Sequence, residues 1–345
     1  MPYESISRQF FHFDRWLGAQ PVGNGHINDT YRIDFEARAI PRSFLLQRLN
    51  HHIFRQPQVL MENIRKVSDH LSRQEYPYQL IHPVTTLDGQ LLYTDPEGNY
   101  WRVFPFIQNS YAPEALVQPE IAWEAARAYG AFARAMRSFP AIELAETIPG
   151  FHDTDRRWEV FTGIVEKNPA QRVQQSSPEI AAMQEALPVF EAVSRMKKSG
   201  ELPLRVTHND TKAGNVLFDQ NTHKALAVID LDTVMPGAVL SDFGDMVRTF
   251  APDKTEDNPT AVSLRQDMIA ALLEGFLLET GDWLHAAERK HLMLGAAWIT
   301  GEQALRFLTD WLAGDVYYKI QYPEHNLIRA RNQLALFRLI LAEVV

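Results

Sequence analysis

Residues 206–219 read VTHNDTKAGNVLFD: an apolar run, then His208-Asn209-Asp210, then Asn215, then a second apolar run. The two runs are expected to be short strands bracketing a loop, with a third strand, KALAVID (224–230), close behind and ending in Asp230. Asn, Asp and Gly make ordinary turns, so the loop gains meaning only from its surroundings. What sets it apart is an acid, an amide five positions on, and a second acid at the end of the following strand.

Upstream, residues 1–107 read as strand-rich α+β. PVGNGHINDTYRIDF (21–35) is a glycine turn followed by an alternating strand, SFLLQRLNH (43–51) is another strand, and PQVLMENIRKVSDHLSR (57–73) is an amphipathic helix with proline near its start. YQLIHPVTT, QLLYTD and YWRVFPFI follow as a meander punctuated by Gly and Asp-Pro. After Ile107 the period changes. Ile121, Ala125, Ala128, Phe132, Met136 and Phe139 recur at helical spacing and define one buried face. Ser177-Pro178 is expected to open a further helix as cap and first-turn proline, with Pro188 kinking it. Everything past about residue 250 is helical in period. The expected fold is α+β and two-lobed: a small β-rich N-lobe (1–107), a hinge near 104–108, and a larger, mainly helical C-lobe (108–345). A cleft between two lobes is where a ligand is expected to sit.

The chain has 345 residues, 46% hydrophobic and 22% charged, the composition of a globular protein. Its 34 basic and 43 acidic residues give a net charge of −9 with no run of like charge, which argues against nucleic-acid or anionic-membrane partners. With no cysteine, disulfides, thiolate catalysis and Cys-ligated metals are excluded. The N-terminus MPYESISRQFFHFDRW lacks a basic-then-apolar signal pattern, and no stretch reaches the roughly 18 apolar residues of a membrane helix. A cytoplasmic location is expected; oligomeric state is not readable.

Three elements then fall in order: Gly23-Asn24-Gly25-His26-Ile27-Asn28 at a strand turn, Asp210 with Asn215, and Asp230. Phosphoryl transfer from a nucleotide wants these parts: a glycine turn that brings backbone N–H groups to phosphates, an acid to accept a hydroxyl proton, and an amide plus an acid to hold magnesium. No GxxxxGK[ST] occurs, so a P-loop is excluded. HxD, four residues, Asn, and then an apolar strand ending in VID resembles the catalytic segment of the aminoglycoside phosphotransferase/choline kinase superfamily, relatives of the protein kinases. GNGHINDTY, LLQRLN, GFHDT (150–154), THNDTKAGNVLFD, AVIDLDTVMPG and RFLTDWLAGDVYYK (306–319) are similar to the N-acetylhexosamine 1-kinases, which phosphorylate the anomeric hydroxyl of GlcNAc or GalNAc with ATP and Mg²⁺.

The resemblance implies a role for each matching position. Asp210 would be the base or orienter, Lys212 would sit near the transferred phosphate, and His208 would hold the catalytic loop through hydrogen bonds. Asn215 and Asp230 would ligate Mg. Gly23, Asn24, Gly25 and His26 would cover the phosphates of ATP, and Phe104, Pro105, Phe106 and Ile107 would form the hinge that meets adenine. Arg306, Asp310 and Tyr317 would reach the sugar. Asp232 is ambiguous: a carboxylate that supports the site from behind, one that reaches the sugar, or a solvated turn residue. Arg306 and Asp310 are also i,i+4, so a surface ion pair is an equal reading. His152 and Asp153 in GFHDT are open between site and scaffold.

Where the wider kinase pattern has a strand lysine, FLLQRL places Gln47 on the inward face and Arg48 on the other. Losing that charge-assisted contact costs about 1–2 kcal/mol; Glu62 on the next helix is a weak candidate partner for Gln47. Asp242-Phe243-Gly244 spells the protein-kinase magnesium motif but lies too far beyond Asn215; Asp242 is expected to cap a helix starting at Phe243 and brace the catalytic loop. Two other classes compete. AVIDLDTV fits the DxDx[TV] signature of haloacid-dehalogenase-type phosphatases, with Asp230 as nucleophile, but the helical tail does not suit that fold. A catalytically silent nucleotide-binding module is prompted by Gln47. Among kinases, choline, homoserine, methylthioribose and aminoglycoside acceptors stay open, although no acidic cluster suited to a polycation is apparent.

Overall fold

A computed structural model describes residues 2–23, 27–113 and 116–344. Helix α1 (Pro2–Ser7) precedes strands β1 (Arg15–Pro21), β2 (Asp29–Ala37) and β3 (Ile40–Leu49), helix α2 (Pro57–Leu71), and strands β4 (Tyr93–Thr94) and β5 (Tyr100–Pro105). These strands form one antiparallel sheet in the order β1-β2-β3-β5-β4. Its two faces differ because side chains alternate along each strand. Ile33, Phe35, Leu46, Trp101 and Val103 pack outward with Ile6, Phe10 and Phe13 as a separate small core. Leu49 and Phe104 face α2 and join the main core. The expected meander is thinner than its sequence suggests. YQLIHPVTT contributes only a bridge from Val84 to Val103, and QLLYTD only the two residues of β4. Pro77, Pro83 and Pro96 punctuate this stretch, and proline cannot donate to a ladder.

The larger part of the chain is helical. Strand β6 (Ser110–Tyr111) leads to helices α3 (Pro119–Met136), α4 (Thr154–Lys167), α5 (Ser177–Met183) and α6 (Leu187–Ser199). Then come β7 (Arg205–Thr207), β8 (Val216–Asp219), β9 (Ala225–Val228) and β10 (Met235–Gly237), followed by α7 (Val239–Phe250), α8 (Gln266–Thr280), α9 (Ala286–Lys290), α10 (Leu292–Ala313) and α11 (His325–Leu341). The strands that flank the opening stretch belong to different small sheets: β7 pairs with β10, whereas β8 lies between β6 and β9.

Helix α3 is buried on nearly every side, with Ala122, Ala126, Tyr129 and Ala133 enclosed as well as the expected Ala125, Ala128, Phe132 and Met136. Its partly exposed Arg127 and Arg134 are answered by Glu279 on α8; Ile121 is only half-buried, and Phe139 lies beyond the helix end. Ser177 is inside α5 and bonds the Gln174 carbonyl instead of capping. Pro188 does more than kink: a 3₁₀ turn at 184–186 separates α5 from α6, and the proline sits in the first turn of the new helix, where its missing N–H costs nothing. Among the described residues no helix is long and apolar enough to cross a membrane.

Candidate active site

The loop between β7 and β8 is bolted from several sides. Asn209 stands in the left-handed region (φ 64°), and its backbone N–H and that of His208 donate to the Asp242 carboxylate at 2.7 and 2.8 Å. Thr211 Oγ1 donates to the Asp242 carbonyl, and Tyr129 on α3 donates its hydroxyl to the Lys212 carbonyl at 2.8 Å. Asp242 therefore braces the loop, as expected, but does not cap a helix at Phe243; α7 begins at Val239 and Asp242 lies in its first turn.

His208 is fully buried between Tyr129 and Phe132, with Nε2 2.9 Å from the Ile229 carbonyl. A carbonyl only accepts, so Nε2 carries the proton. Burial lowers the pKa of the ring and keeps it neutral. Grouped with the catalytic residues by sequence, His208 holds the loop and has no exposed surface with which to meet a substrate.

Asp210 points outward from this frame. Its Oδ2 accepts from Lys212 Nζ and from Asn215 Nδ2, both at 2.8 Å. Burial works to raise its pKa, but the Lys212 ammonium and the Asn215 amide outweigh it and hold the carboxyl below the usual range. Asp210 in turn raises the Lys212 pKa against burial. Because Asn215 also donates to the Asp210 carbonyl, its amide nitrogen is fully used and its side-chain oxygen keeps its lone pairs. The sequence brings Asp210, Lys212 and Asn215 together by a turn of only a few residues; the structure adds the direction in which each points.

Asp230 follows β9 in a left-handed conformation (φ 61°, ψ 58°). Such strain in a non-glycine residue persists only where the surroundings impose it, commonly at functional sites. The residue is open to solvent, and its side chain has no hydrogen bond among the described residues. Enclosure by the protein walls of the cleft, then the charges of Asp232 and Asp210, push its pKa up to about 7. The Ile229 N–H donates to the Asn215 carbonyl at 2.9 Å, which holds Asp230 alongside Asn215. An unpaired carboxylate repelled by two others, beside a free amide oxygen, is a donor set that suits a hard divalent cation. Among the described residues no trio of His, Asp or Glu gathers as a metal cage, so the fit rests on one amide and Asp230.

Several expectations are corrected here. Asp232 is 4% exposed, and both of its oxygens are taken: by Arg102 Nη1 and Nη2 at 2.6 and 2.9 Å and by Asn28 Nδ2 at 2.8 Å. Of its three readings the supporting carboxylate holds; it is neither a solvated turn residue nor free to hold a sugar. Gln47 is engaged too, donating to Thr30 Oγ1 and accepting from Arg102 Nε, both at 2.9 Å. Glu62 pairs with Arg65 on its own helix and not with Gln47. Arg48 points to the other face, as alternation requires, and pairs with Asp29. Gly23 adopts φ 76°, whereas Asn24, Gly25 and His26 lie outside the described residues. Phe104 and Ile107 are buried, and Pro105 and Phe106 half-buried, where the chain leaves the sheet.

At the far end of the helical part, Asp310 is buried and accepts the backbone N–H groups of Val316, Tyr317 and Tyr318 at 2.8–3.0 Å, as well as Asn326 Nδ2. It shapes a loop and does not pair with Arg306. Arg306 donates to Gln303 and lies over the rings of Phe151 and Tyr318. Tyr317 is 58% exposed. His152 and Arg157 both meet Glu302 at 3.1 Å, and Asp153 caps α4 through the Arg156 N–H. Sequence reasoning missed Arg102, Arg157 and Glu302, and named Asn28 only as part of the glycine turn, without its bond to Asp232. The one available signal for Arg102 was a lone charge inside the apolar run YWRVF, in register opposite Gln47.

A β-sheet lobe joined to a larger helical part, with an acid, a lysine and an amide on one loop and a second acid beside that amide, is the arrangement of a protein-kinase-like phosphotransferase fold. Residues 18–288 match the model of the phosphotransferase enzyme family, and the chain belongs to that family. Among solved structures it is similar to a microcompartment-associated aminopropanol kinase (18% identity, 99% of this chain and 98% of that one, TM-score 0.68). It is also similar to an aminoglycoside phosphotransferase from Alicyclobacillus acidocaldarius (14%, 99% and 96%, 0.64). A third is choline kinase from Cryptosporidium parvum (14%, 100% and 97%, 0.58). At these identities the likeness establishes the fold. The family match makes the protein a phosphotransferase, and the neighbours add the kinase-like fold. The phosphatase alternative falls with it: every described sheet is antiparallel, and residues 239–341 hold helices where that fold needs alternating strands.

Proposed function

We propose that this protein transfers the γ-phosphate of ATP, with Mg²⁺, to a sugar hydroxyl, most readily the anomeric hydroxyl of an N-acetylhexosamine. The observation that carries the reading is the convergence of Lys212 and Asn215 on one oxygen of Asp210, at the mouth of a cleft that also holds an unpaired Asp230. The acceptor hydroxyl donates to Asp210, its oxygen attacks the γ-phosphorus, ADP departs and the proton passes to the carboxylate. Base assistance of this kind contributes about 10²–10⁴ in rate, and positioning supplies most of the remainder because the transition state is loose. Asn215 and Asp230 would hold the magnesium ion, which when bound neutralises phosphate charge. Gly23 and its neighbours would cover the phosphates, and the Phe104–Ile107 segment would receive adenine.

The acceptor assignment draws on the resemblance of GFHDT and RFLTDWLAGDVYYK to N-acetylhexosamine kinases. It also draws on charge: Arg157 is met by Glu302, and Arg248 by Asp245 and Glu256, while the neighbouring Arg306 has no ion pair among the described residues, so no surplus acid is left there for a polycation. ATP consumption measured in parallel with GlcNAc, GalNAc, glucose, choline and kanamycin tests the reading. Turnover is expected with the N-acetylhexosamines. Turnover of choline or kanamycin alone would leave the family standing and remove the sugar.

A further inference from the structure

The cleft carries a connection that no part of the reaction above uses. Arg102 is 1% exposed on β5, two residues before Phe104, and grips Asp232 through both terminal nitrogens. Asp232 lies two residues after Asp230, and its Oδ2 also accepts from Asn28, next to the glycine turn. Asn28 Oδ1 in turn receives the Asn50 N–H at 3.0 Å, which anchors that arm to the end of β3. Gln47 supports Arg102 from the side. One carboxylate thus joins three parts: the sheet beside the hinge, the arm of the glycine turn and the turn that carries Asp230. Thr147 Oγ1 on the Asp232 carbonyl and Asn63 Nδ2 on the Val234 carbonyl fix the same turn from behind.

We propose that Arg102 and Asp232 form a cross-lobe strut that positions Asp230 relative to the glycine turn. This takes the place of the strand lysine that Gln47 replaces, without Arg102 touching phosphate. The inference rests on the kinase reading above. Three physical points support it. A buried ion pair is weak as a source of stability, because apolar residues of similar volume often do as well; its fork-to-fork geometry instead fixes orientation. Asp230 is in a strained backbone conformation, which needs outside support. And both oxygens of Asp232 are committed, so the strut has no freedom to act as a ligand itself.

The test is a double-mutant cycle of Arg102→Met, Asp232→Asn and the double variant, with Arg48→Gln as a control on the opposite face of the same sheet. Urea unfolding, Mg·ADP binding by calorimetry, and kcat with its Mg²⁺ dependence are read for each. Each single variant is expected to lower kcat and Mg-dependent ADP affinity by about 10–100-fold, the usual effect of removing a group that orients a metal ligand. KM for the acceptor stays near wild type. The double variant, with no stranded charge, recovers its urea midpoint while kcat and Mg·ADP affinity stay low. Arg102→Lys restores part of kcat, and Arg48→Gln matches wild type throughout. Recovery of kcat together with stability in the double variant would reduce the pair to scaffolding and overturn the proposal. So would loss of metal-free ADP binding in Arg102→Met but not in Asp232→Asn, which would make Arg102 a phosphate ligand. If the wild type phosphorylates nothing, the kinase reading fails by itself, whereas the calorimetric arm still decides the strut.

Discussion

Asp210→Asn removes a charge while keeping nearly the same shape. Asp210 Oδ2 accepts from Lys212 and Asn215, and the carboxamide oxygen of the D210N side chain can take that place. The loop frame, held by Asp242, Tyr129 and Thr211, is untouched. The Lys212–Asp210 pair is partly open to water, with side chains 47% and 26% exposed, so its loss changes stability by no more than about 1 kcal/mol. Turnover is another matter. A carboxamide cannot take a proton, and loss of base assistance of about 10²–10⁴ corresponds to about 3–5 kcal/mol of barrier. The assay is steady-state ADP release with the acceptor identified by the panel, alongside Mg·ADP calorimetry and urea unfolding. The expected result is a kcat lowered by about 10²–10⁴ with nucleotide affinity and unfolding midpoint near wild type. A kcat close to wild type would refute the proton-accepting role, and a matching loss of nucleotide affinity would reassign Asp210 to binding.

Gly244→Ala probes the close crossing of α7 and α10: a methyl there collides with the Gly295 carbonyl group, whose carbon is 2.6 Å away. Backbone cannot yield as a side chain can, so overpacking of about 1–3 kcal/mol should exceed the gain of about 1 kcal/mol in helix propensity, read as a lower urea midpoint. Glu302→Gln should destabilise most at neutral pH and progressively less in acid. Burial raises the Glu302 pKa, but His152 and Arg157 hold it at about 2, below the unfolded value of about 4.3, so this contribution is present above the unfolded value and is lost as pH falls toward about 2. The shift corresponds to on the order of 3 kcal/mol, and a pH-independent difference between wild type and variant would contradict it. Asp310→Ala frees three backbone N–H groups of the 316–318 loop. It should raise KM for the acceptor while leaving KM for ATP unchanged; equal effects on both would separate that loop from the acceptor.

Much of this protein was legible along the chain. The spacing of Asp210, Lys212 and Asn215 is local, and the short 208–215 loop between two apolar strands leaves few ways to arrange them. The helical period of 119–136 and the lack of a P-loop were equally plain. Less legible were roles set by distant partners. Asp232 and Asp230 differ by two positions and look interchangeable, yet one is locked to Arg102, 130 residues away, and the other is open. Asp310 and Arg306 have ion-pair spacing on a helix, but the backbone N–H groups of the following loop compete for Asp310 and win, since three donors satisfy a buried carboxylate better than one guanidinium.

The family chemistry is written in the order of residues: which acid, amide and lysine lie on the loop, and the alternation that sets Gln47 and Arg48 on opposite faces. Folding alone settles which carboxylates are spent on holding the frame and which remain free. Burial and long-range pairing are properties of the packed chain, because a carboxylate's charge, exposure and partners depend on segments that approach it only once the lobes have formed.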